Sequence, residues 1–113
     1  MMTVIVKTGR FTCFLLAQLF LLSSCSTTPE KPKLHTVVIE GMKFVPQEIT
    51  VHKGDSVVWI NRDMMAHDVT EELSKSWTSS SIPPGGSWKM EVTDNADYYC
   101  SIHFVMKGKL KVE

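Results

Sequence analysis

From Leu34 onward the apolar residues recur at every second position, which is the repeat of half-buried strands rather than of helices. His35 to Glu40 sets Val37 and Ile39 on one face. Ile49 and Val51 do the same between Glu48 and His52, and Val57 with Trp59 resume the pattern after a turn at Lys53-Gly54-Asp55. Trp88, Met90 and Val92 alternate with Ser87, Lys89 and Glu91, and Leu110 and Val112 alternate with Lys109, Lys111 and Glu113. Pro83-Pro84-Gly85-Gly86 predicts a turn or loop. The serine-rich stretch from Glu71 to Ser81 predicts a surface connection pinned to the core by Leu73 and Trp77. No segment carries the period of a long amphipathic helix. Short strands with turn signals at this spacing predict an all-β sandwich.

The first 24 residues break the pattern. Lys7 and Arg10 give a positive start, and Phe11 to Leu22 is an almost unbroken apolar run of twelve residues. Such a run is too short to span a bilayer as a mature helix and suits the apolar region of a secretory signal. It ends in Leu22-Ser23-Ser24-Cys25, which resembles the bacterial lipobox: an aliphatic residue, two small residues, then the cysteine that is lipidated and becomes the new N-terminus. Residues 1–24 are thus expected to be a signal peptide, with Cys25 as the lipidation site; the alternative is a plain secretory signal with Cys25 incidental. Either way the protein is expected outside the cytoplasm, periplasmic or at the cell surface, and the lipid reading adds a membrane anchor through Cys25. Residues 26–33 hold two prolines and no apolar side chain, so 25–33 reads as the lipidated N-terminus and tether, and 34–113 as the domain.

Composition is that of one small globular domain: 113 residues, 43% of them apolar, with 12 basic and 12 acidic side chains. Beyond residue 24 there are 10 basic and 12 acidic residues, a net charge of −2, which argues against nucleic acid as a partner. Cysteine usage says more. With Cys13 in the signal and Cys25 at the anchor, Cys100 is the domain's only thiol, so no disulfide can form within the domain. A lone thiol outside the cytoplasm is prone to oxidation unless it is buried or bound to a metal.

The segment from Tyr98 to Gly108 places Cys100, His103 and Met106 at spacings of three. Thiolate, imidazole and thioether all seek copper. Chance puts His and Met at those offsets from a cysteine about once in two thousand cases or fewer, taking each type at roughly two per cent of residues. The run lies between two predicted strands, and Met65-Ala66-His67-Asp68 offers a further imidazole upstream. Thiolate and imidazole in a trigonal site, completed by a weak axial thioether, suit both Cu(I) and Cu(II) with little rearrangement. Other candidates carry less. His35 and His52 sit in strand patterns without a partner and read as surface or edge residues; Met42, Met64 and Met65 read as core fillers or a docking face rather than a soft-metal relay; Glu71 and Glu72 read as a solvated face. There is no Ser-His-Asp set and no Gly-rich phosphate loop, so nothing here reads as an enzyme.

At these residues the sequence resembles the cupredoxins, the small blue-copper electron carriers, and within them the amicyanin and plastocyanin-like members. The resemblance covers nearly the whole domain: Phe44-Val45-Pro46, then Val51 to Asn61, then His67, then Tyr98 to Glu113, with a short Cys-x2-His-x2-Met loop of the amicyanin kind. It implies a Greek-key β-sandwich, cupredoxin-like, of seven or eight strands. It also implies one copper ion, held equatorially by His67 and His103 through ring nitrogens and by Cys100 through sulfur, with Met106 axial. The function it implies is electron carriage by Cu(I)/Cu(II) cycling, by a monomer with transient redox protein partners. Those partners would dock on an apolar patch around His103 that Phe104, Met64 and Met65 would ring. The alternative is a periplasmic copper-binding, storage or delivery protein using the same ligands. Three positions depart from the pattern. Asp68 stands where Asn usually bonds across to the cysteine loop, Thr93 to Tyr99 is a shortened approach to the cysteine, and Phe104 replaces a proline.

Overall fold

The computed structural model describes residues 24–113, so the signal segment, apart from Ser24, lies outside the described residues. Eight strands follow in order: β1 Leu34–Ile39, β2 Phe44–Val45, β3 Glu48–Val51, β4 Ser56–Asn61, β5 Thr70–Glu71, β6 Ser87–Glu91, β7 Ala96–Tyr99 and β8 Lys107–Val112. They make two four-stranded sheets, in the orders β2-β1-β4-β6 and β3-β8-β7-β5. β1 with β4 and β3 with β8 pair in parallel, and the other neighbours are antiparallel. The architecture is the all-β Greek-key sandwich expected from the sequence, and among the described residues no helix occurs.

Alternation does the work it predicts. Val37 and Ile39 of β1, Val57 and Trp59 of β4, Tyr98 of β7 and Leu110 of β8 are buried and join one cluster drawn from both sheets. Each such side chain contributes roughly 1.5–3 kcal/mol on leaving water. Tyr98 is central: it meets Phe44 edge-on at 4.9 Å and Trp59 at 5.5 Å, and burial pushes its hydroxyl up to about 12. Across the β7–β8 pair it faces Gly108, whose missing side chain leaves room for the ring.

A two-residue turn joins β1 to β2, closed by hydrogen bonds between Glu40 and Lys43 of 3.0 and 3.2 Å, with Gly41 at φ 61° and Met42 at φ 60°. A left-handed Met costs roughly 1–2 kcal/mol relative to the right-handed form. Offsetting that, the Asp63 carboxylate accepts both turn amides, Gly41 N at 2.7 Å and Met42 N at 3.0 Å.

Three expectations change. Leu73 is 93% exposed and pins nothing, whereas Trp77 does pack on the core. The loop is fastened instead by Glu71, which is buried: its carboxylate accepts Leu73 N at 2.9 Å and both the amide and the hydroxyl of Ser74 at 2.7 Å. Those bonds, the Ser74 hydroxyl foremost, hold Glu71 down at about 2, so only Glu72 of that pair reaches solvent, half-buried and bonded to Lys107. His35 is not without a partner, because its Nε2 lies 2.8 Å from Asp55 Oδ2. Asp55 is itself buried and also accepts Lys33 N at 2.8 Å and His52 N at 3.1 Å, the donors a buried carboxylate needs. His52 stays on the surface.

Candidate metal centre

His67 enters from the connection between β4 and β5, where its backbone exchanges hydrogen bonds with Ile82 at 3.2 and 2.7 Å. That bridge fixes the main chain, and the side chain is fully buried. Cys100 follows the last residue of β7 and is also fully buried. The loop then turns back to β8, with Cys100 N donating to Met106 O at 3.1 Å and Met106 N to His103 O at 3.0 Å. The pair Tyr99↔Lys107 closes the two strands around it, so three of the sequence-predicted residues ride on one short, braced turn.

The fold brings the side chains of both segments together. Cys100 Sγ lies 3.8 Å from His67 Nδ1 and 3.8 Å from His103 Nδ1, and the two ring nitrogens are 3.1 Å apart. Met106 is buried beside them in the same cluster as Cys100, its backbone tied to both Cys100 and His103. His35 and His52 are not part of this group. Cys25 is exposed, on the segment preceding β1.

The surroundings polarise these atoms. Asp68 N donates to Cys100 Sγ at 3.4 Å. The Asp68 carboxylate reaches the cysteine loop, accepting Ser101 N at 2.8 Å and the Ser101 hydroxyl, and it takes the Thr70 hydroxyl at 3.0 Å. The bond across to the loop that Asn would make is therefore made here by a carboxylate. On the other side of the site, His67 Nε2 meets Asp63 Oδ2 at 2.8 Å. Burial alone would push the Asp63 carboxyl up, but the amides of Met42 and Gly41 and the His67 ring outweigh it and hold the carboxyl below its ordinary value. Asn61, fully buried, accepts Asp63 N at 3.0 Å and donates to the carbonyls of Met65 at 2.9 Å and Ile82 at 3.0 Å. Neither Asn61 nor Asp63 is singled out by the sequence. The one available signal was an acidic residue four positions before His67, and in a loop that spacing does not establish contact.

A carboxylate only accepts, so His67 donates its Nε2–H to Asp63 and turns Nδ1 toward the cysteine loop. That nitrogen faces His103 Nδ1 and the Cys100 sulfur. Three electron-rich atoms, one soft and two borderline, crowd a single small volume, which a copper-type cation satisfies. The residues fit the ion.

The rim differs. His103 is half-buried, and Ile102, Phe104 and Val105 beside it are 50%, 69% and 84% exposed. Met64 and Met65, just before His67, are 95% and 47% exposed. Phe104 stacks on Tyr99 at 6.2 Å, and the Lys75 and Lys107 ammonium groups lie 4.2 and 5.0 Å from the Tyr99 ring centre.

Comparison with known proteins agrees with this centre. The family of copper binding proteins of the plastocyanin/azurin type matches residues 33–113. Amicyanin of Paracoccus versutus is 32% identical over 88 residues, and amicyanin of Paracoccus denitrificans is 32% identical over 83 residues; each alignment covers 68% of this chain. The chain spans 63% of the length of these two relatives. Among solved structures, a Cu(I) form of an amicyanin variant superposes with a TM-score of 0.65 at 30% identity, covering 71% of this chain and 82% of that one.

Proposed function

This chain belongs to the plastocyanin/azurin family of copper-binding proteins, whose cofactor is one copper ion, and on that premise we propose that it is an extracytoplasmic blue-copper electron carrier. The observation that carries the reading is the meeting of Cys100 Sγ, His67 Nδ1 and His103 Nδ1 within 3.8 Å of one another on backbone that the sandwich already fixes. His67, Cys100 and His103 would hold the ion, with Met106 as a weaker thioether donor. Copper supplies a one-electron couple when bound. Each side chain has a distinct task. Cys100 is kept buried and receives the Asp68 amide on its sulfur. His67 is locked by Ile82 and Asp63, and the Cys100–Met106 backbone bonds brace the loop, so the donors stay in place whatever charge sits between them. That rigidity suits fast electron exchange. His103 is the one imidazole that reaches toward solvent, and the apolar residues Phe104, Met64 and Met65 would dock a transient redox partner beside it.

The organisation we propose is a signal over 1–24, lipid on Cys25, a tether to residue 33 and the copper domain from 34 to 113, giving a monomer held on a membrane at the periplasm or cell surface. Incorporation of labelled palmitate, lost in Cys25→Ala, tests the anchor. The centre is tested by its colour: copper-loaded protein should turn intensely blue on oxidation, because the absorption arises from sulfur bonded directly to Cu(II). Cys100→Ala should be colourless, and a variant that stays blue would refute the ligand set.

A further inference from the structure

All three tryptophans of the chain meet in one cluster with Tyr98. Ring centres are 6.0 Å apart from Trp77 to Trp88, 5.4 Å from Trp88 to Trp59, 5.5 Å from Trp59 to Tyr98 and 6.4 Å from Tyr98 back to Trp77. The outer pair, Trp77 and Trp88, is half-buried and meets solvent, whereas Trp59 and Tyr98 are fully buried. Cys100 lies two residues beyond Tyr98, buried in the same cluster, roughly 7 Å further along at the rise of a strand. A continuous file of rings thus joins the surface to the centre. Packing alone does not ask for these residue types. Among the described residues, the Trp59 Nε1–H and the Tyr98 hydroxyl are the buried side-chain polar groups without a hydrogen bond of normal geometry. Each carries a desolvation cost that phenylalanine in its place would avoid. What tryptophan and tyrosine bring to a core, and phenylalanine lacks, is a ring that gives up an electron readily.

We propose that Trp77, Trp88 and Trp59 form a radical relay that carries one-electron oxidising equivalents from the protein surface inward to the Cys100 centre, sparing the tryptophans from oxidative damage. This rests on copper binding at Cys100 and on no particular redox partner. A diffusible one-electron oxidant of the radical class removes an electron from the Trp77 or Trp88 ring and is itself reduced. An electron from Trp59 refills the outer ring, and an electron from the centre, crossing the Tyr98 ring, refills Trp59. Copper supplies that last electron when bound in its reduced form. A proton that an outer indole gives to water on oxidation returns when the ring is refilled. No bond is made or broken overall: the oxidant gains one electron and the reduced ion loses one. Trp59 is suited to passing the charge rather than keeping it. With no acceptor at Nε1, its oxidised ring cannot settle by shedding a proton, as the outer pair can in contact with water.

The test is pulse radiolysis of the full chain, metal-free and Cu(I)-loaded, with the azide radical, which oxidises indole rings selectively. In the loaded protein the indole-radical absorption should decay in a first-order step, independent of protein concentration, and the blue band of the oxidised centre should rise at the same rate. In metal-free protein the radical should persist several-fold longer. Peptide mass mapping after repeated pulses should then find covalent oxidation at Trp77 and Trp88 that the loaded protein lacks. Trp59→Phe keeps a ring in the packing but removes the oxidisable one, and should slow the linked decay and rise several-fold; the blue spectrum of the loaded variant reports that it folds. Trp77→Phe combined with Trp88→Phe, both at half-buried positions, should lose the first-order rise, because no entry from the surface remains. A role confined to packing would lower the melting temperature of these variants and leave the rates alone. The relay is overturned if the wild-type blue band rises at a rate proportional to protein concentration, or if the indole radical decays alike with and without copper. It is also overturned if a blue Trp59→Phe protein keeps the wild-type rate within twofold. A wild type that shows no blue band on chemical oxidation, before any pulse, would sink the copper reading and the relay together, whereas a blue protein with an isolated indole radical would sink the relay alone.

Discussion

Replacing Gly108 by Ala should unfold this protein far more readily, although ordinary propensity argues the opposite. Gly108 is the second residue of β8 and has no left-handed φ, so an added methyl group would normally stabilise by about 0.4–1 kcal/mol through the unfolded chain. Here a Cβ would stand 2.5 Å from the Tyr98 hydroxyl oxygen and nearer still to two ring carbons, against the roughly 3.5–4.0 Å of an ordinary contact. Tyr98 has nowhere to go: it is fully buried, with Phe44 at 4.9 Å and Trp59 at 5.5 Å. If the strands part to admit the methyl, the cost is about 1–3 kcal/mol of overpacking. If the ring is expelled, the loss is that of a core aromatic, about 3–5 kcal/mol. Taking about 3 kcal/mol, and about 4–8 °C per kcal/mol for a domain of this size, the melting temperature should drop by roughly 12–24 °C. Circular dichroism melts of metal-free protein would read it, with urea titration as a second measure. Gly108→Ala combined with Tyr98→Leu should recover part of the loss, the signature of two residues in contact. A Gly108→Ala protein melting within about 4 °C of wild type, or above it, would refute the reasoning.

Other predictions follow from the same geometry. Met106→Gln should keep copper and the blue colour but lower the reduction potential, because an amide oxygen is a harder donor that favours Cu(II); cyclic voltammetry reads this, and a copper-free variant would contradict the division of roles. Phe104→Asp should slow second-order electron transfer to a physiological partner while leaving the visible spectrum nearly unchanged, since Phe104 is exposed on the rim; an unaltered stopped-flow rate would move the docking face elsewhere. Asp55 is held down at about 2, with the Lys33 amide and the His35 ring as main causes, so its contribution is present above its unfolded value near 4 and is lost as pH falls toward 2. Asp55→Asn should therefore flatten the acid limb of the melting profile between about pH 4 and pH 2, and an unchanged limb would assign acid sensitivity to other carboxylates.

Period-two alternation made β1, β3, β4, β6 and β8 legible because each runs four to six residues with one face in the core. β2 and β5 have two residues each, too few to show any period, and exist only because Val38 and Ile39 of β1, and Tyr98 and Tyr99 of β7, offer them a ladder. Leu73 and Glu71 mislead for a related reason. Hydrophobicity predicts burial on average, but a tight serine-rich loop supplies amides and hydroxyls that solvate a carboxylate, and once Glu71 is satisfied inward Leu73 is left outside.

At the centre itself, the separation along the chain decided what could be read. Cys100, His103 and Met106 lie on one loop, so spacing alone makes them a candidate set, whereas His67, 33 residues from Cys100, is only a further imidazole upstream until the resemblance implies its role as a ligand. Asp63 was invisible on both counts. A lone acidic residue in a connection reads as solvated surface, and what changes its meaning is a turn on another hairpin, built with Met42 in a conformation where Gly, Asn or Asp is usual. Nothing local in Gly41-Met42 announces an anion nest, and nothing local in Asp63 announces its occupant; each becomes specific only when β1 and β4 pair in parallel along Leu34↔Ser56 to Ile39↔Asn61. That pairing sets the end of β1 beside the end of β4, and Arg62 N donates to Ile39 O at 2.8 Å to extend the contact. The position of His67 is thus coupled to strand register: a slip of one residue in β1 would carry the nest away from Asp63 as surely as it would turn Val37 and Ile39 out of the core.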